Sequence, residues 1–533
     1  MFKNLFYIFL LTTLILTACK EEPNMNNLGL IPLPSKIEIA SGKTLIDNKW
    51  SINHNNAHID LDDLKELLTQ SLNNHNITLN KNSNKIISLI IKTDDDLNDE
   101  DYIININKDK ILIIANSPNG IFYGIQTFKQ LLDSSDGSKD GLLLLNMNIV
   151  DQPRFKWRGM HLDVGRHFFD ITFIKKYINY IAMHKMNIFH WHLTEDQGWR
   201  VEIDAYPKLT KIGAYRDETL IGNYFDKPHK FDGIKYGGFY TKKEIQEVIE
   251  YARKRYVTIV PEIEMPGHSL AALAAYPELS CTNQKHTVAK IWGVHKEVFC
   301  AGKESTFNFL ETVLTEVAEM FPGPFIHIGG DEAPKDRWKK HDLDQKLIIN
   351  KNLKDEQGLQ SYFIKRIENI LSKLDKRLIG WDEILEGGLA PDAIVQSWRG
   401  MDGGIVAANA NHEVIMSPTS HAYFDYYQSE AKDQEPLAIG GYLSLEKVYQ
   451  FEPVPDNIEP DKIKYILGGQ GNVWTEYINT PEKVEYMAIP RMCAMAEVLW
   501  SKKSDRDFAN FKERMKWQYK RLDDMKANYR KDS

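Results

Sequence analysis

FIHIGGDEAP, residues 325–334, is the stretch of sequence on which the interpretation of the fold depends. Phe325, Ile326 and Ile328 predict a short buried strand, and two glycines end it with backbone freedom. Asp331 and Glu332 follow at once, on a chain whose successive side chains point to opposite sides. A strand that delivers acids at its C-terminal end is typical of a parallel α/β barrel. The alternative is that Asp331 caps a helix.

The chain from residue 151 onward alternates predicted strands with predicted helices. Eight such strands over roughly 350 residues predict an α/β fold of the (β/α)8 TIM-barrel type. An open doubly wound sheet is the alternative, but no Gly-x-Gly-x-x-Gly turn follows the first strand. The predicted strands are Gly159–Val164, Met186–Leu193, Tyr256–Ile263, Phe325–Ile328, Arg377–Trp381, Ala393–Trp398, Glu413–Met416 and Ile466–Trp474. The clearest predicted helices are Ile171–His184, Lys242–Lys254, Phe307–Met320 and Gln357–Leu374.

Two further segments flank this barrel. Residues 31–150 mix helical and strand patterns and predict a small α+β accessory domain, with strands such as Ile86–Ile91 and a helix that begins at Pro118. The barrel domain, residues 151–533, ends in a predicted amphipathic helix. Its apolar positions, which we expect to point inward, are Phe511, Met515 and Leu522.

The first residues have the pattern of an export signal. Lys3 supplies a positive charge, an apolar core follows, and Leu16-Thr17-Ala18-Cys19 resembles the bacterial lipoprotein box. We therefore predict a signal peptide over 1–19, acylation of Cys19 and a polar tether over 20–30. The protein is then an exported lipoprotein of a Gram-negative-type bacterium, in the outer membrane at the periplasmic face or cell surface, held by the lipid alone. A plain secretory signal is the alternative.

Composition narrows the class of partner. A formal net charge of −8 argues against nucleic acid, and eleven tryptophans make a carbohydrate ligand more plausible, since indole stacks well on a sugar face. Export implies an oxidising compartment. Cys281 and Cys300 bracket a polar loop and are the predicted disulfide, whereas Cys493 lies in an apolar helical stretch and predicts a buried free thiol.

Every predicted barrel strand is followed by polar or aromatic side chains, as the active face of a barrel requires. His190, His192, His268 and Asp331 could together hold a metal. We favour hydrogen-bonding roles for these histidines, because no helical histidine pair is present, and we expect neither a metal nor a cofactor.

Carboxylates combined with tryptophans and an arginine fit glycoside cleavage. The usual scheme places two carboxylates on opposite sides of the scissile bond, about 5–10 Å apart. Adjacent acids that diverge do not suit that arrangement. They suit a reaction in which the carbonyl oxygen of a 2-acetamido group on the substrate is the nucleophile, with one acid for the proton and its neighbour for the acetamido group.

Six motifs, in order along the chain, resemble glycoside hydrolase family 20, the exo-acting β-N-acetylhexosaminidases. The resemblance extends from about Leu30 to the C-terminus and includes the accessory domain through GIFYGIQTFKQLL, residues 120–132. The motifs are GMHLDVGRHF (159–168), HWHLTEDQGWR (190–200), VPEIEMPGH (260–268), HIGGDEAP (327–334), GWDEI (380–384) and GNVWTE (471–476).

The resemblance implies hydrolysis, with retention, of terminal non-reducing β-linked N-acetylglucosamine or N-acetylgalactosamine from glycans. Glu332 resembles the general acid/base with a raised pKa, Asp331 the residue that orients the acetamido group, and Tyr423 the hydroxyl donor to its oxygen. The residues that resemble substrate-binding or supporting positions are Arg166, Asp196, His268, Trp381, Trp398, Asp425, Trp474 and Glu476.

Two positions depart from the family pattern: Glu195 and Glu264 stand where aspartate is common, and we expect them to affect only details of the subsites. Two other functions stay open at this stage. One is release of a disaccharide such as lacto-N-biose, and the other is a catalytically silent, sugar-binding surface lipoprotein. Nothing in the sequence indicates the oligomeric state.

Overall fold

The computed structural model describes residues 28–55 and 61–531, and its centre is the predicted barrel. Eight parallel strands close on themselves in chain order. They are β1 Trp157–Asp163, β2 Ile188–His192, β3 Thr258–Glu262, β4 Phe325–His327, β5 Arg377–Trp381, β6 Ile394–Ser397, β7 Val414–Met416 and β8 Ile466–Gly471. The TIM-barrel prediction is therefore confirmed, and the open-sheet alternative is wrong.

One apolar side chain from each strand fills a layer inside the barrel. Bulky and branched residues dominate this layer, as they do in other barrels of this type. Its members are Trp157, Ile188, Val260, Phe325, Ile379, Ile394, Ile415 and Leu467. This layer fills the interior of the barrel, which is therefore a packed core and not a pore.

Helices surround the barrel, and several begin at side-chain caps. Asp170 accepts a hydrogen bond from the Phe173 amide, and Thr241 forms a reciprocal capping box with Glu244. Only a 3-10 turn, Asp382–Leu385, separates β5 from β6, so the alternation is incomplete there. The principal helices are Ile171–Met183, Lys242–Arg253, Glu304–Met320, Asp342–Lys351, Glu356–Lys373, Asp402–Asn409, Pro481–Ala488, Arg491–Trp500 and Phe508–Asp524.

The accessory domain is a mixed seven-stranded sheet with two helices, Asp62–Asn74 and Pro118–Asp133. Two strands that the sequence pattern did not predict, Lys36–Ile46 and Trp50–His54, lie at its two edges. The first has many exposed positions and a register shift, so its period-2 pattern is weak. The other strands are Lys85–Ile91, Tyr102–Asn107, Lys110–Ala115, Asp136–Ser138 and Gly141–Asp151.

A buried ion pair joins the accessory domain to the barrel. Lys185, at the start of the segment that leads into β2, places its Nζ 2.8 Å from Asp151 Oδ2 and 2.7 Å from the Tyr102 hydroxyl. The indole N–H of Trp500 donates to the other oxygen of Asp151 at 2.9 Å. Since Lys185 and Asp151 are fully buried, both charges depend on this contact for their solvation.

The last residues of the predicted tether, 28–30, are packed against the folded protein. Leu28 and Leu30 are buried, and the backbone carbonyls of Gly29 and Leu30 accept hydrogen bonds from Arg521 at 2.8 Å and Arg514 at 2.6 Å. The predicted signal peptide and Cys19 lie outside the described residues. Among residues 28–55 and 61–531, no helix is long and apolar enough to cross a membrane.

The predicted disulfide is not formed. Cys281 and Cys300 are both free, buried thiols. Each sulfur contacts Asp344, and the sulfur of Cys300 also contacts His341. The prediction for Cys493 is confirmed: it is a buried free thiol. The C-terminal helix also folds as predicted, with Phe511, Met515 and Leu522 buried.

Candidate active site

The C-terminal ends of the barrel strands surround a pocket of about 350 Å³. All but one of the residues predicted to bind or transform a ligand line it. Those residues are Arg166, His268, Asp331, Glu332, Trp381, Trp398, Tyr423, Asp425, Trp474 and Glu476. The exception, Asp196, lies behind His268 and contacts its ring.

The segment after β4 places the two acids. Gly329 and Gly330 have positive φ angles of 65° and 91°, and a side chain at Gly329 would collide with the carboxylate of Glu264. Glu332 also has a positive φ, 42°, a strained conformation for a residue with a long side chain. The next helical element is a 3-10 turn that begins at Trp338, and the next α-helix begins at Asp342, so the helix-cap alternative for Asp331 is wrong.

The two acids have different environments, as their opposite directions predicted. The Asp331 side chain is 12% exposed, and burial raises its pKa to about 7. The Glu332 side chain is 40% exposed, and its hydrogen bond to His268 holds its pKa below the usual value. The raised pKa expected for Glu332 is therefore wrong for the ligand-free protein, because His268 stabilises the carboxylate.

His268 connects both acids to a buried carboxylate pair. Its Nε2 lies 3.4 Å from Glu332 and 3.7 Å from Asp331, while its Nδ1 lies 2.7 Å from Glu195 and 3.2 Å from Asp196. Burial opposes a charge on this ring, but the surrounding carboxylates, Glu195 first, hold its pKa well above the usual value. The raised pKa favours the imidazolium form of His268, whose Nδ1 contacts the buried carboxylate pair and whose Nε2 faces Glu332.

Arg166 is the arginine predicted for the pocket, and carboxylates surround it. Its guanidinium lies 3.1 Å from Glu195, 3.5 Å from Asp163 and 4.0 Å from Glu476. Glu195 therefore bridges Arg166 and His268 at the centre of the site. The sequence interpretation placed Glu195 outside the chemistry, and the geometry corrects it.

Several buried polar atoms in this pocket have no hydrogen-bond partner within residues 28–55 and 61–531. They are Nε and one terminal nitrogen of Arg166, Oδ1 of Asp331, Oδ1 of Asp425, Nε1 of Trp474 and Oε2 of Glu476. Burial raises the pKa of both Asp425 and Glu476. Leaving such groups unpaired costs about 1–3 kcal/mol each, so their concentration at one place indicates a polar ligand that satisfies them.

Aromatic rings wall the other side of the pocket. The ring centroids of Trp381 and Trp474 are 5.7 Å apart, and Tyr423 lies 6.1 Å from Trp398 in a stacked arrangement. The indole N–H of Trp398 donates to Glu383 at 2.9 Å, which fixes the ring plane. Burial holds the pKa of Tyr423 well above the usual value, so its hydroxyl stays protonated and can donate.

The histidines below the pocket are held by carboxylates. Glu262 lies 2.9 Å from His190 and 2.8 Å from His327, and it accepts the indole N–H of Trp381 at 2.8 Å. His192 lies 3.2 Å from Glu264 on one side and 3.2 Å from Asp163 on the other. These contacts support the hydrogen-bonding interpretation, and they also hold Trp381 in place.

The sequence interpretation missed the rim of the pocket. Tyr224, Phe225, Trp292, Val294, Ile439 and Tyr477 line it from long loops. Of these residues, only Trp292 belongs to the tryptophans whose number indicated a carbohydrate ligand. A larger groove of about 900 Å³ lies beside helix Phe508–Asp524, where Asp133 is paired with Arg521 and His75.

Comparison with known proteins gives a consistent result. A model of the catalytic domain of glycosyl hydrolase family 20 matches residues 155–503, and a model of domain 2 of that family matches residues 27–152. A β-hexosaminidase of Porphyromonas gingivalis is 44% identical and covers 97% of this chain and 67% of its own length. A β-hexosaminidase of Vibrio furnissii is 35% identical and covers 88% of this chain and 76% of its own.

Solved structures share the whole architecture. The family 20 exo-β-N-acetylglucosaminidase of Vibrio harveyi, in complex with N-acetylglucosamine, aligns with a TM-score of 0.82 at 32% identity, over 95% of this chain and 78% of that one. The β-N-acetylhexosaminidase of Bacteroides fragilis aligns with a TM-score of 0.78 at 32% identity, over 94% and 96%.

Proposed function

The chain belongs to glycosyl hydrolase family 20 and is a glycoside hydrolase of the β-N-acetylhexosaminidase type; from that premise we propose the substrate and the course of the reaction. The enzyme removes terminal, non-reducing β-linked N-acetylglucosamine or N-acetylgalactosamine from glycans, with retention. The nucleophile is the carbonyl oxygen of the substrate's own 2-acetamido group. Relatives named β-hexosaminidases, and a neighbour bound to N-acetylglucosamine, support this substrate class.

One observation carries the proposal: the unpaired polar atoms and the aromatic walls meet beside the acid pair. Arg166, Asp425 and Glu476 match the hydroxyls of a single sugar ring. Arg166 donates hydrogen bonds to the hydroxyl oxygens, and the two carboxyl groups accept hydrogen bonds from the hydroxyl protons. Trp381 and Trp474 supply the apolar surface for the ring face and the acetamido methyl. A sugar bound there forms hydrogen bonds with buried polar groups that otherwise have no partner. A ligand that lacks the matching hydroxyls leaves these groups unpaired, so the pocket is specific for the sugar.

The first chemical step follows from the position of Asp331. Its free Oδ1 accepts the acetamido N–H, and the Tyr423 hydroxyl donates to the acetamido carbonyl oxygen. The carbonyl oxygen then forms a bond to the anomeric carbon as the glycosidic bond breaks. Because an oxazolinium ion carries positive charge, the ionised Asp331 stabilises it, and the N–H contact lowers the raised pKa of this residue.

Glu332 supplies the proton that the departing oxygen takes up. Substrate covers its exposed carboxylate, removes water and raises its pKa, so that it takes the proton held by His268. Asp196 and Glu195 stabilise the imidazolium until that transfer. In the second step water attacks the anomeric carbon and gives a proton back to Glu332, which opens the oxazoline ring and restores the acetamido group.

Substrate analogues test the nucleophile. A nitrophenyl β-N-acetylglucosaminide should be cleaved, and the corresponding glucoside, which lacks the acetamido group, should not. Progressive fluorination of the acetyl methyl makes the carbonyl oxygen less nucleophilic and should lower kcat at each step. A rate that does not respond to fluorination would exclude participation of the substrate. A cyclic thiazoline should inhibit, because it mimics the intermediate.

Variants test the two acids separately. Glu332→Gln should lower kcat by about 10²–10⁴, with the largest loss for poor leaving groups, which need the proton most. Asp331→Asn should lower kcat even for nitrophenyl leaving groups. Glu386→Gln is the matched control, since Glu386 pairs with Arg399 outside the pocket and should retain full activity. Absence of turnover in the wild type would favour a silent sugar-binding protein.

Substrate assays also determine which sugar the enzyme prefers and whether it releases a monosaccharide or a disaccharide. Parallel assays with N-acetylglucosaminides, N-acetylgalactosaminides and lacto-N-biosides give the preference directly. We expect single residues to be released, because the set of unpaired polar atoms corresponds to one ring. Faster release of intact lacto-N-biose than of N-acetylglucosamine would replace the proposal with the disaccharide function.

We also propose that Cys19 is acylated and anchors the enzyme to the outer membrane. The support is the Leu16-Thr17-Ala18-Cys19 sequence and the apolar run before it. Cys19→Ala should release the enzyme from the membrane fraction and abolish incorporation of labelled fatty acid. Unchanged membrane retention of that variant would contradict the anchor.

A further inference from the structure

Four metal-ligating side chains meet outside the catalytic pocket. The sulfurs of Cys281 and Cys300, one imidazole nitrogen of His341 and one carboxylate oxygen of Asp344 all lie within 4.8 Å of one another. Cys300 and Asp344 are fully buried, and Cys281 is nearly so. We term these four residues the thiol cluster.

The distances within the thiol cluster are close to those between ligands around a single small ion. Asp344 Oδ2 lies 3.3 Å from the Cys281 sulfur, 3.4 Å from the Cys300 sulfur and 2.8 Å from His341 Nδ1, which is itself 3.1 Å from Cys300. Zinc bonds of about 2.0–2.3 Å in a tetrahedron separate ligand atoms by about 3.3–3.8 Å. A shift of a few tenths of an ångström is therefore enough to admit the ion.

The backbone holds these residues in place without the help of a disulfide. Ser280 and Phe299 form an isolated β-bridge, and the Cys300 amide donates to the Leu279 carbonyl at 3.0 Å, which brings the two cysteines side by side. The Gly302 amide donates to the other oxygen of Asp344. That contact leaves Oδ2 directed at the sulfurs, as the outer partners of a metal ligand do.

We propose that the thiol cluster is a structural zinc site. Two thiolates, one imidazole and one carboxylate form a closed four-coordinate set, with no position left for water or substrate. Zinc suits this mixture of soft and intermediate donors, whereas magnesium and calcium prefer oxygen alone. Each thiol loses its proton to solvent as the ion binds, so the site carries a net charge of −1.

The thiol cluster connects two loops that surround the catalytic pocket. Cys281 and Cys300 bracket the loop that carries Trp292, a rim residue, while His341 and Asp344 begin the helix that follows the acid pair. Next to the site, the indole N–H of Trp338 donates to the Phe299 carbonyl at 3.0 Å. Zinc therefore ties the third and fourth loops of the active face together.

Elemental analysis of the full chain, purified without a metal-affinity tag, tests the proposal. We expect one zinc ion per chain in the wild type and its loss in the Cys300→Ser and His341→Asn variants. Cys493→Ser is the matched control, because Cys493 is a buried thiol beside His184 at another place, and it should retain the zinc. Zinc retained by Cys300→Ser, or absent from the wild type, would overturn the proposal.

Two further measurements keep the outcome clear where a variant fails to fold. Cobalt exchanged into the wild type should give the near-ultraviolet charge-transfer band of thiolate ligands, and an oxygen-only spectrum would overturn the proposal. Alkylation and peptide mapping under non-reducing, denaturing conditions should label Cys281 and Cys300 once a chelator is added. A linked Cys281–Cys300 peptide would show a disulfide in place of the metal.

Discussion

Replacement of Asp331 by asparagine should make the protein more stable and nearly inactive, and the gain in stability should depend on pH. An aspartate whose pKa is about 7 in the folded protein and 3.8 otherwise destabilises the folded state when it ionises. At about 1.36 kcal/mol for each pKa unit, the full effect is about 4 kcal/mol. Because water and neighbouring side chains relax around the charge, we expect about 2–4 kcal/mol.

The sign follows from proton binding. Below about pH 4 Asp331 is protonated in both the folded and the unfolded chain, so wild type and Asp331→Asn should be equally stable. As pH rises toward 7 the unfolded carboxyl ionises first, and the wild type loses stability relative to the variant. Above pH 7 the advantage of Asp331→Asn should be complete.

Urea unfolding followed by tryptophan fluorescence at pH 3.5, 6 and 8 measures the effect. Glu332→Gln is the control of opposite sign, because its hydrogen bond to His268 lowers the pKa of that carboxyl. That variant should be less stable than wild type at pH 8, and the deficit should shrink as pH falls below 4.5, the ordinary pKa of glutamate. A stability difference for Asp331→Asn that is the same at every pH would refute the reasoning.

Three other substitutions probe the scaffold and the rim. Gly329→Ala should lower the free energy of unfolding by more than the roughly 1–3 kcal/mol of its strained φ, because the new methyl collides with Glu264. Gly233→Ala has the same φ of 65° but lies in open space, so it should lose only the strain energy. Thermal unfolding of the two variants compares these losses. Lys185→Met leaves the buried Asp151 without its counter-charge and should lower the free energy of unfolding by about 3–5 kcal/mol, measured by urea titration. A neutral effect would show that the ion pair does not hold the domains together. Phe225→Ala removes a side chain that is 79% exposed at the pocket rim, so KM should rise for a disaccharide substrate and stay constant for a nitrophenyl glycoside, with no change in melting temperature.

The barrel was predictable because its strands obey two independent signals. Each strand is a short apolar run, and each is followed by a polar or aromatic residue at the C-terminal face of the barrel. Every one of the eight predicted strands is present, with ends that differ by a few residues. The adjacent acids were also predictable in kind, because two neighbours on an extended chain must face different surroundings.

The missed features depend on contacts between distant segments. The pKa of Glu332 is set by His268, sixty-four residues earlier, and no local pattern shows that hydrogen bond. The thiol cluster needs His341 and Asp344, which lie in a polar stretch with no cysteine nearby, so the sequence led to a disulfide. Glu195 looked peripheral because its two partners, Arg166 and His268, come from other strands.

The contact between residues 28–31 and helix Phe508–Asp524 sets an order of assembly. Arg514 and Arg521 donate hydrogen bonds to the carbonyls of Leu30 and Gly29. These contacts cannot form until residues almost five hundred positions later have been synthesised. A nascent or truncated chain that stops after the barrel would leave Leu28 and its neighbours without their cover. The same proximity makes the molecule a natural candidate for circular permutation, with the two segments joined and new ends opened in an exposed loop.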